Sequence, residues 1–228
     1  MTSGNRRLVI AFALAALAMA AAGCVSGGQS TPGVPTATPT QGTNASASPV
    51  TAALPPMEEE TAWYPAAEAA AKAWQSDAAF ILATGNNMAP NGTALPIDGR
   101  SWQWTYRFVS PAAAQIYTVG LKDGKIVSNS TSDLWDNVTP SNSMINQYAG
   151  LYGFDERKID CPQAIRTASA QYRDLTGSDP EGLVTYALLN SKDGKTNVRS
   201  MYWKMTFHKD DRQIPVKVDA LTGSVIAW

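Results

Sequence analysis

Two stretches of this chain alternate apolar and polar residues with a period of two. In residues 100–108, Trp102, Trp104, Tyr106 and Phe108 fall on one side, and Ser101, Gln103, Thr105 and Arg107 on the other. In residues 199–207, Met201, Trp203, Met205 and Phe207 alternate with Tyr202, Lys204 and Thr206, and His208 continues the polar side. That pattern predicts half-buried strands, because successive side chains of a strand point to opposite faces. Elsewhere the period changes. Ile165, Ala168, Tyr172 and Leu175 recur at helical spacing, with Pro162 suited to a first turn and Gly177 to a stop. Ala66, Ala70, Ala73 and Trp74 predict a smaller stripe on an earlier helix. Asp123-Gly124 and Asp193-Gly194 are turn dipeptides that tolerate positive φ.

The two aromatic strands are related. Arg100, Ser101, Trp104 and Phe108 recur as Arg199, Ser200, Trp203 and Phe207, 99 positions on. The same shift, without a gap, carries Tyr117, Val119, Gly124, Ile126 and Val127 onto Val216, Val218, Gly223, Val225 and Ile226. Upstream, Tyr64-Pro65-Ala66-Ala67 and Cys161-Pro162-Gln163-Ala164 both open Ala-containing helical stretches. The expected fold is therefore α+β, built from two tandem units, each one helix packed on an antiparallel β-meander. A unit of about 80 residues alone would bury only about 60–65% of its unfolded surface, so the copies should pack into one body.

Composition then places the chain. Arg6 and Arg7 precede an uncharged run from Leu8 to Ala22, about 15 residues, the length of a signal-peptide core rather than the roughly 20 of a membrane span. The run ends in Ala21-Ala22-Gly23-Cys24, which resembles the lipobox of bacterial and archaeal lipoproteins, although Ala21 stands where Leu is usual. Ala20-Ala21-Ala22 also reads as an ordinary small-residue cleavage site. The lipobox resemblance implies lipidation of Cys24 and a location on the outer face of the cytoplasmic membrane. Residues 25–60 are mostly Gly, Ser, Thr, Pro, Ala and Gln, a composition expected to stay disordered as a tether. Glu58-Glu59-Glu60 closes it as a solvated acidic patch. The expected organisation is signal peptide 1–23, tether 24–60, first unit 61–130, connector 131–160 and second unit 161–228. Removing Arg6 and Arg7 from 18 basic residues leaves 16 against 19 acidic, a net of −3, with no basic run, which argues against a nucleic-acid partner. Lipidation of Cys24 would leave Cys161 without an intramolecular partner.

At Val216-Lys217-Val218-Asp219-Ala220-Leu221-Thr222-Gly223-Ser224-Val225-Ile226 the chain resembles the closing hairpin of PepSY domains. These are small extracytoplasmic helix-plus-sheet modules of protease propeptides and membrane-attached proteins. The helix near Pro162, the Trp203 strand and the Asp219-to-Gly223 turn follow that family's order across residues 161–228. Residues 62–130 are a degenerate version, with Gly120 and Asp123 in place of Asp219 and Thr222. The resemblance implies a binding or regulatory module whose partner is a protease or another envelope protein.

Catalytic chemistry finds little to work with. His208 is the single histidine, and no serine stands in a nucleophile-elbow context. Zinc, calcium and phosphate motifs are absent, so no catalytic residue, metal or cofactor is expected. Cys161 near a helix start could be activated by the helix dipole or sit there as a small buried residue. The expected partner surface is the polar strand face that includes Arg107, Tyr202, Lys204 and His208. The alternative is a small-ligand or glycan site in a Trp/Tyr-lined cleft between the units.

Overall fold

The computed structural model describes residues 56–134 and 146–227. The expected signal peptide, Cys24, most of the expected tether, Trp135 and Trp228 lie outside the described residues. Within them, helix α1 (Glu60–Trp74) leads into β1 (Ala79–Asn86), β2 (Gln103–Ser110), β3 (Gln115–Lys122) and β4 (Lys125–Asp133). After a 3-10 turn at Phe154–Glu156 come helix α2 (Cys161–Thr176) and strands β5 (Val184–Lys192), β6 (Arg199–Lys209), β7 (Arg212–Asp219) and β8 (Val225–Ile226). All eight strands form one antiparallel sheet in the order β4-β3-β2-β1-β5-β6-β7-β8. The chain is α+β, with β1 and β5 paired at the centre from Leu82↔Leu189 to Asn86↔Thr185.

Directly paired residues project from the same face of a sheet. Tyr106 pairs with Ala83, Ala83 with Leu188, and Leu188 with Trp203, and all four are buried. One apolar face therefore runs unbroken from β2 to β6, and both helices lie on it. Helix α1 buries Glu60, Trp63, Tyr64, Ala67 and Ala71, while α2 buries Cys161, Ala164, Ile165, Ala168 and Tyr172. Trp104 and Trp203 have no exposed surface. At about 25 cal/mol per Å², hiding the 150–250 Å² of such a ring is worth roughly 4–6 kcal/mol before entropy. Each indole N–H also needs an acceptor. Trp104 Nε1 donates to Glu58 O and Trp203 Nε1 to Ile159 O, both at 2.9 Å, so each ring ties down the segment entering its helix.

Local chemistry explains the boundaries of α2. Asp160 Oδ1 accepts the Gln163 N–H at 2.7 Å while Gln163 Oε1 accepts the Asp160 N–H at 3.2 Å, a reciprocal cap. Gly177, at φ 72°, closes the helix with its N–H on Arg173 O. The turn after β3 places Asp123 and Gly124 both at positive φ.

Three sequence expectations are corrected. Of the stripe expected on α1, Ala70 and Trp74 pack against the core, but Ala66 and Ala73 are exposed, and the larger Trp63 and Tyr64 set which side faces the sheet. Leu175 is 62% exposed, in the last turn of α2 beside Lys209, Asp210 and Ile214. The gapless shift of 99 also fails beyond the aromatic strands. Phe108 pairs with Tyr117 but Phe207 pairs with Ile214, so β7 follows β3 at a shift of 97. The turn from Lys209 to Arg212 is two residues shorter than the one from Ser110 to Gln115.

Candidate functional site

The face of the sheet away from the helices has no described element packed on it. Its central rows follow from the register. Thr105, Thr84, Ala187 and Lys204 stand side by side across β2, β1, β5 and β6, and Arg107, Leu82, Leu189 and Tyr202 form the neighbouring row. Three strand spacings of about 4.8 Å put Arg107 and Tyr202 about 14 Å apart at the backbone. Of the expected partner surface, the structure brings Arg107, Tyr202 and Lys204 onto this floor. His208 lies on the same face near the end of β6, its Nε2 3.4 Å from Thr185 Oγ1. Ser101 does not belong there. It is buried, its hydroxyl donating to Gln103 O at 2.7 Å and accepting the Asn86 N–H at 3.2 Å.

That serine bonding has a consequence for Trp102. The chain bends at Ser101 and Trp102 before β2 begins, so the alternation slips by one position. Trp102 turns to the open face instead of the core, with Lys122 Nζ 4.9 Å from its ring centroid. Beside it is a depression of about 270 Å³ lined by Thr84, Asn86, Trp102, Gln103, Thr105 and Thr185. Residues of β1, β2 and β5 contribute, so the depression straddles the central seam of the sheet. The Ser101 backbone also pairs with Glu58 in both directions, and no local pattern in the sequence announces that pairing.

Charge is unevenly distributed. The strand register puts Arg107, Lys122, Lys204 and Lys217 on the open face. Among the described residues the one strand carboxylate on that face is Asp219, whose Oδ1 already accepts the N–H groups of Leu221 at 2.8 Å and Thr222 at 2.9 Å. This is the Asx-type turn expected of Asp219, with Gly223 at φ 79° completing it. Lys217 Nζ sits 5.4 Å over the Tyr202 ring, as Lys122 does over Trp102. A chain of formal net charge −1 thus shows a basic, aromatic-bordered surface on one side. A larger groove of about 610 Å³ along α2 mixes signs, with Arg166 and Arg173 facing Asp98 and Asp179, and Arg173 is bridged to Asp179 at 3.3 Å.

A second cluster is wholly internal. Glu60, read from sequence as part of a solvated patch, is 0% exposed at the start of α1. Arg157 reaches its Oε1 through both Nη2 and Nε at 3.3 Å, and Oε2 has no hydrogen-bond partner. The guanidinium stacks 3.8 Å over Phe154, which in turn stacks on Tyr64 at 3.6 Å. Burial pushes the Glu60 carboxyl up to about 7, against the opposing pull of Arg157. Cys161 is fully buried at the first turn of α2, not activated there: burial, helped by the Glu60 and Asp160 carboxylates, holds the thiol pKa well above its usual range. Gly99, at φ +83°, lies so close that a Cβ would stand 2.6 Å from Pro162 N. Among the described residues there is no group of three or more His, Cys, Asp or Glu side chains able to hold a metal ion. Among them, too, no helix is long and apolar enough to cross a membrane.

No family model matches the chain, and no curated protein matches it. Among solved structures the chain is similar to the crystal structure of a "putative lipoprotein" from Clostridium difficile 630, at 15% identity. The likeness covers 72% of this chain and 90% of that one, with a TM-score of 0.47. So remote a likeness transfers no residue and no role.

Proposed function

We propose that this protein is a lipid-anchored extracytoplasmic binding or regulatory module, not an enzyme, which engages an envelope protein or protease through its open sheet face. The observation that carries the reading is the one-sided sheet: two helices cover one face, and on the other no described element covers Arg107, Lys204 and Tyr202. The PepSY-like tandem reading supports it. The buried positions of α1 (60, 63, 64, 67 and 71) recur in α2 at a shift of 101, and both indoles bond the segment entering their helix. In this reading Cys24 carries the lipid, residues 24–60 form the tether, and the module works outside the cytoplasmic membrane. Residues 56–228, immobilised, should retain an envelope protein, and Arg107→Glu with Lys204→Glu should abolish retention. Retention unaffected by both substitutions would sink the reading.

A second reading, a glycan or small-ligand binder, is favoured by the Trp102 depression at the central seam. Tryptophan fluorescence titrated with soluble glycans separates the two, because only this reading predicts a response.

A further inference from the structure

We propose that the open sheet face binds a linear glycan carrying carboxylate or phosphate groups, with one of its rings seated in the Trp102 depression. This rests on the open face being the working surface and gives the second reading a ligand class. The size of the depression sets the first limit. At about 270 Å³ it falls just below the roughly 300–1,000 Å³ of pockets for drug-sized ligands, so it takes one ring and not a larger compound. Its chemistry sets the second. Three threonine hydroxyls (Thr84, Thr105 and Thr185) and two amides (Asn86 and Gln103) line it beside an indole. Hydroxyls and amides both donate and accept hydrogen bonds, as the hydroxyls of a sugar ring require, while an aromatic ring covers the apolar C–H side.

The charge around the depression extends the ligand beyond that ring. Lys204 ends the row that begins with Thr105 and Thr84, Arg107 stands in the next row, and Lys122 lies against Trp102. From Lys122 on β3 to Lys204 on β6 these cations spread across four strand spacings, about 19 Å of sheet and more than one ring spans, so a chain with repeated anionic groups meets them together. Asp219 offers little opposition, since its own turn uses its carboxylate. An acidic polypeptide would meet the same cations, but would bring no polyhydroxylated ring to the threonine and amide lining.

The test uses the full chain in neutral-detergent micelles, titrated by calorimetry and tryptophan fluorescence with polygalacturonate, unsubstituted dextran and polyglutamate. Polygalacturonate should bind, and binding should weaken as salt rises. Arg107→Glu with Lys204→Glu, and separately Trp102→Ala, should each weaken it about tenfold or more. Dextran should bind at least about tenfold more weakly. All three side chains are partly or fully exposed, and unchanged melting temperatures confirm that the variants fold. Dextran binding as tightly as polygalacturonate would overturn the anionic part, and no response to polygalacturonate would overturn the whole. Equal binding of polyglutamate with no effect of Trp102→Ala would overturn the glycan while leaving the open face as an acidic-protein site. Polygalacturonate binding indifferent to Arg107→Glu and Lys204→Glu would overturn the glycan and the open-face reading together.

Discussion

Replacing Glu60 with glutamine should flatten the pH dependence of stability. The carboxyl is buried at the start of α1, its Oε2 has no partner, and its pKa is raised to about 7 from an ordinary 4.5, chiefly by loss of solvent. A group whose folded pKa lies above its unfolded one binds more protons when folded, so stability falls as pH rises through the interval between them. The contribution is fully present below pH 4.5 and lost as pH passes through 7. At about 1.36 kcal/mol per pH unit the full effect is on the order of 3 kcal/mol, most of which falls between pH 5 and pH 8. Glutamine keeps the shape and an acceptor for Arg157 but cannot ionise. Urea unfolding at pH 5, 6, 7 and 8, followed by tryptophan fluorescence, gives the two curves. Wild type should lose about 2 to 3 kcal/mol more than Glu60→Gln across that range. Near pH 5 wild-type Glu60 is itself uncharged, so Arg157 faces a neutral partner in both proteins. Parallel curves would refute the assignment, since every other titrating group is common to both proteins.

Other outcomes follow from the packing. Gly99→Ala should lower stability by about 1–3 kcal/mol, because the new methyl meets the backbone of Cys161 and Pro162 at a positive φ; an unchanged melting temperature would contradict that close approach. Trp203→Ala should cost roughly 3–5 kcal/mol and Trp102→Ala distinctly less, since one ring is fully buried and the other is only partly covered on the open face; equal costs in denaturant titrations would reject the two placements. Asp219→Ala should cost about 1 kcal/mol by freeing the Leu221 and Thr222 N–H groups, measurable in the same titrations.

What could be read from the sequence, and what could not, follows from side-chain size and turn length. The strands of Trp104 and Trp203 were legible because large aromatics alternate with polar residues, and α2 because Pro162 and Gly177 mark its ends, whereas the reciprocal cap of Asp160 and Gln163 was not read. The stripe of α1 was not, since a run of alanines fits several rotations and only Trp63 and Tyr64 choose among them. The shift between β3 and β7 was hidden by two extra residues in one turn, a change that leaves the inward and outward parity intact. At the candidate site, Arg107, Tyr202 and Lys204 were found from alternation alone. Trp102 was assigned to the wrong face because Ser101, bonded through its hydroxyl to Gln103 and Asn86 and through its backbone to Glu58, lies outside the regular strand just before it. Burial of Glu60 depends on Arg157, 97 positions away, which no local pattern reveals.

The central claim is that the uncovered sheet face is where this protein works. A photo-activated crosslinking residue placed at position 204 in the native envelope tests it directly, with position 166 on the solvent side of α2 as its counterpart. The account predicts a defined adduct from position 204 that disappears when Arg107 is changed to Glu, and none from position 166. An adduct from position 166 alone would place the working surface on the helices and contradict it.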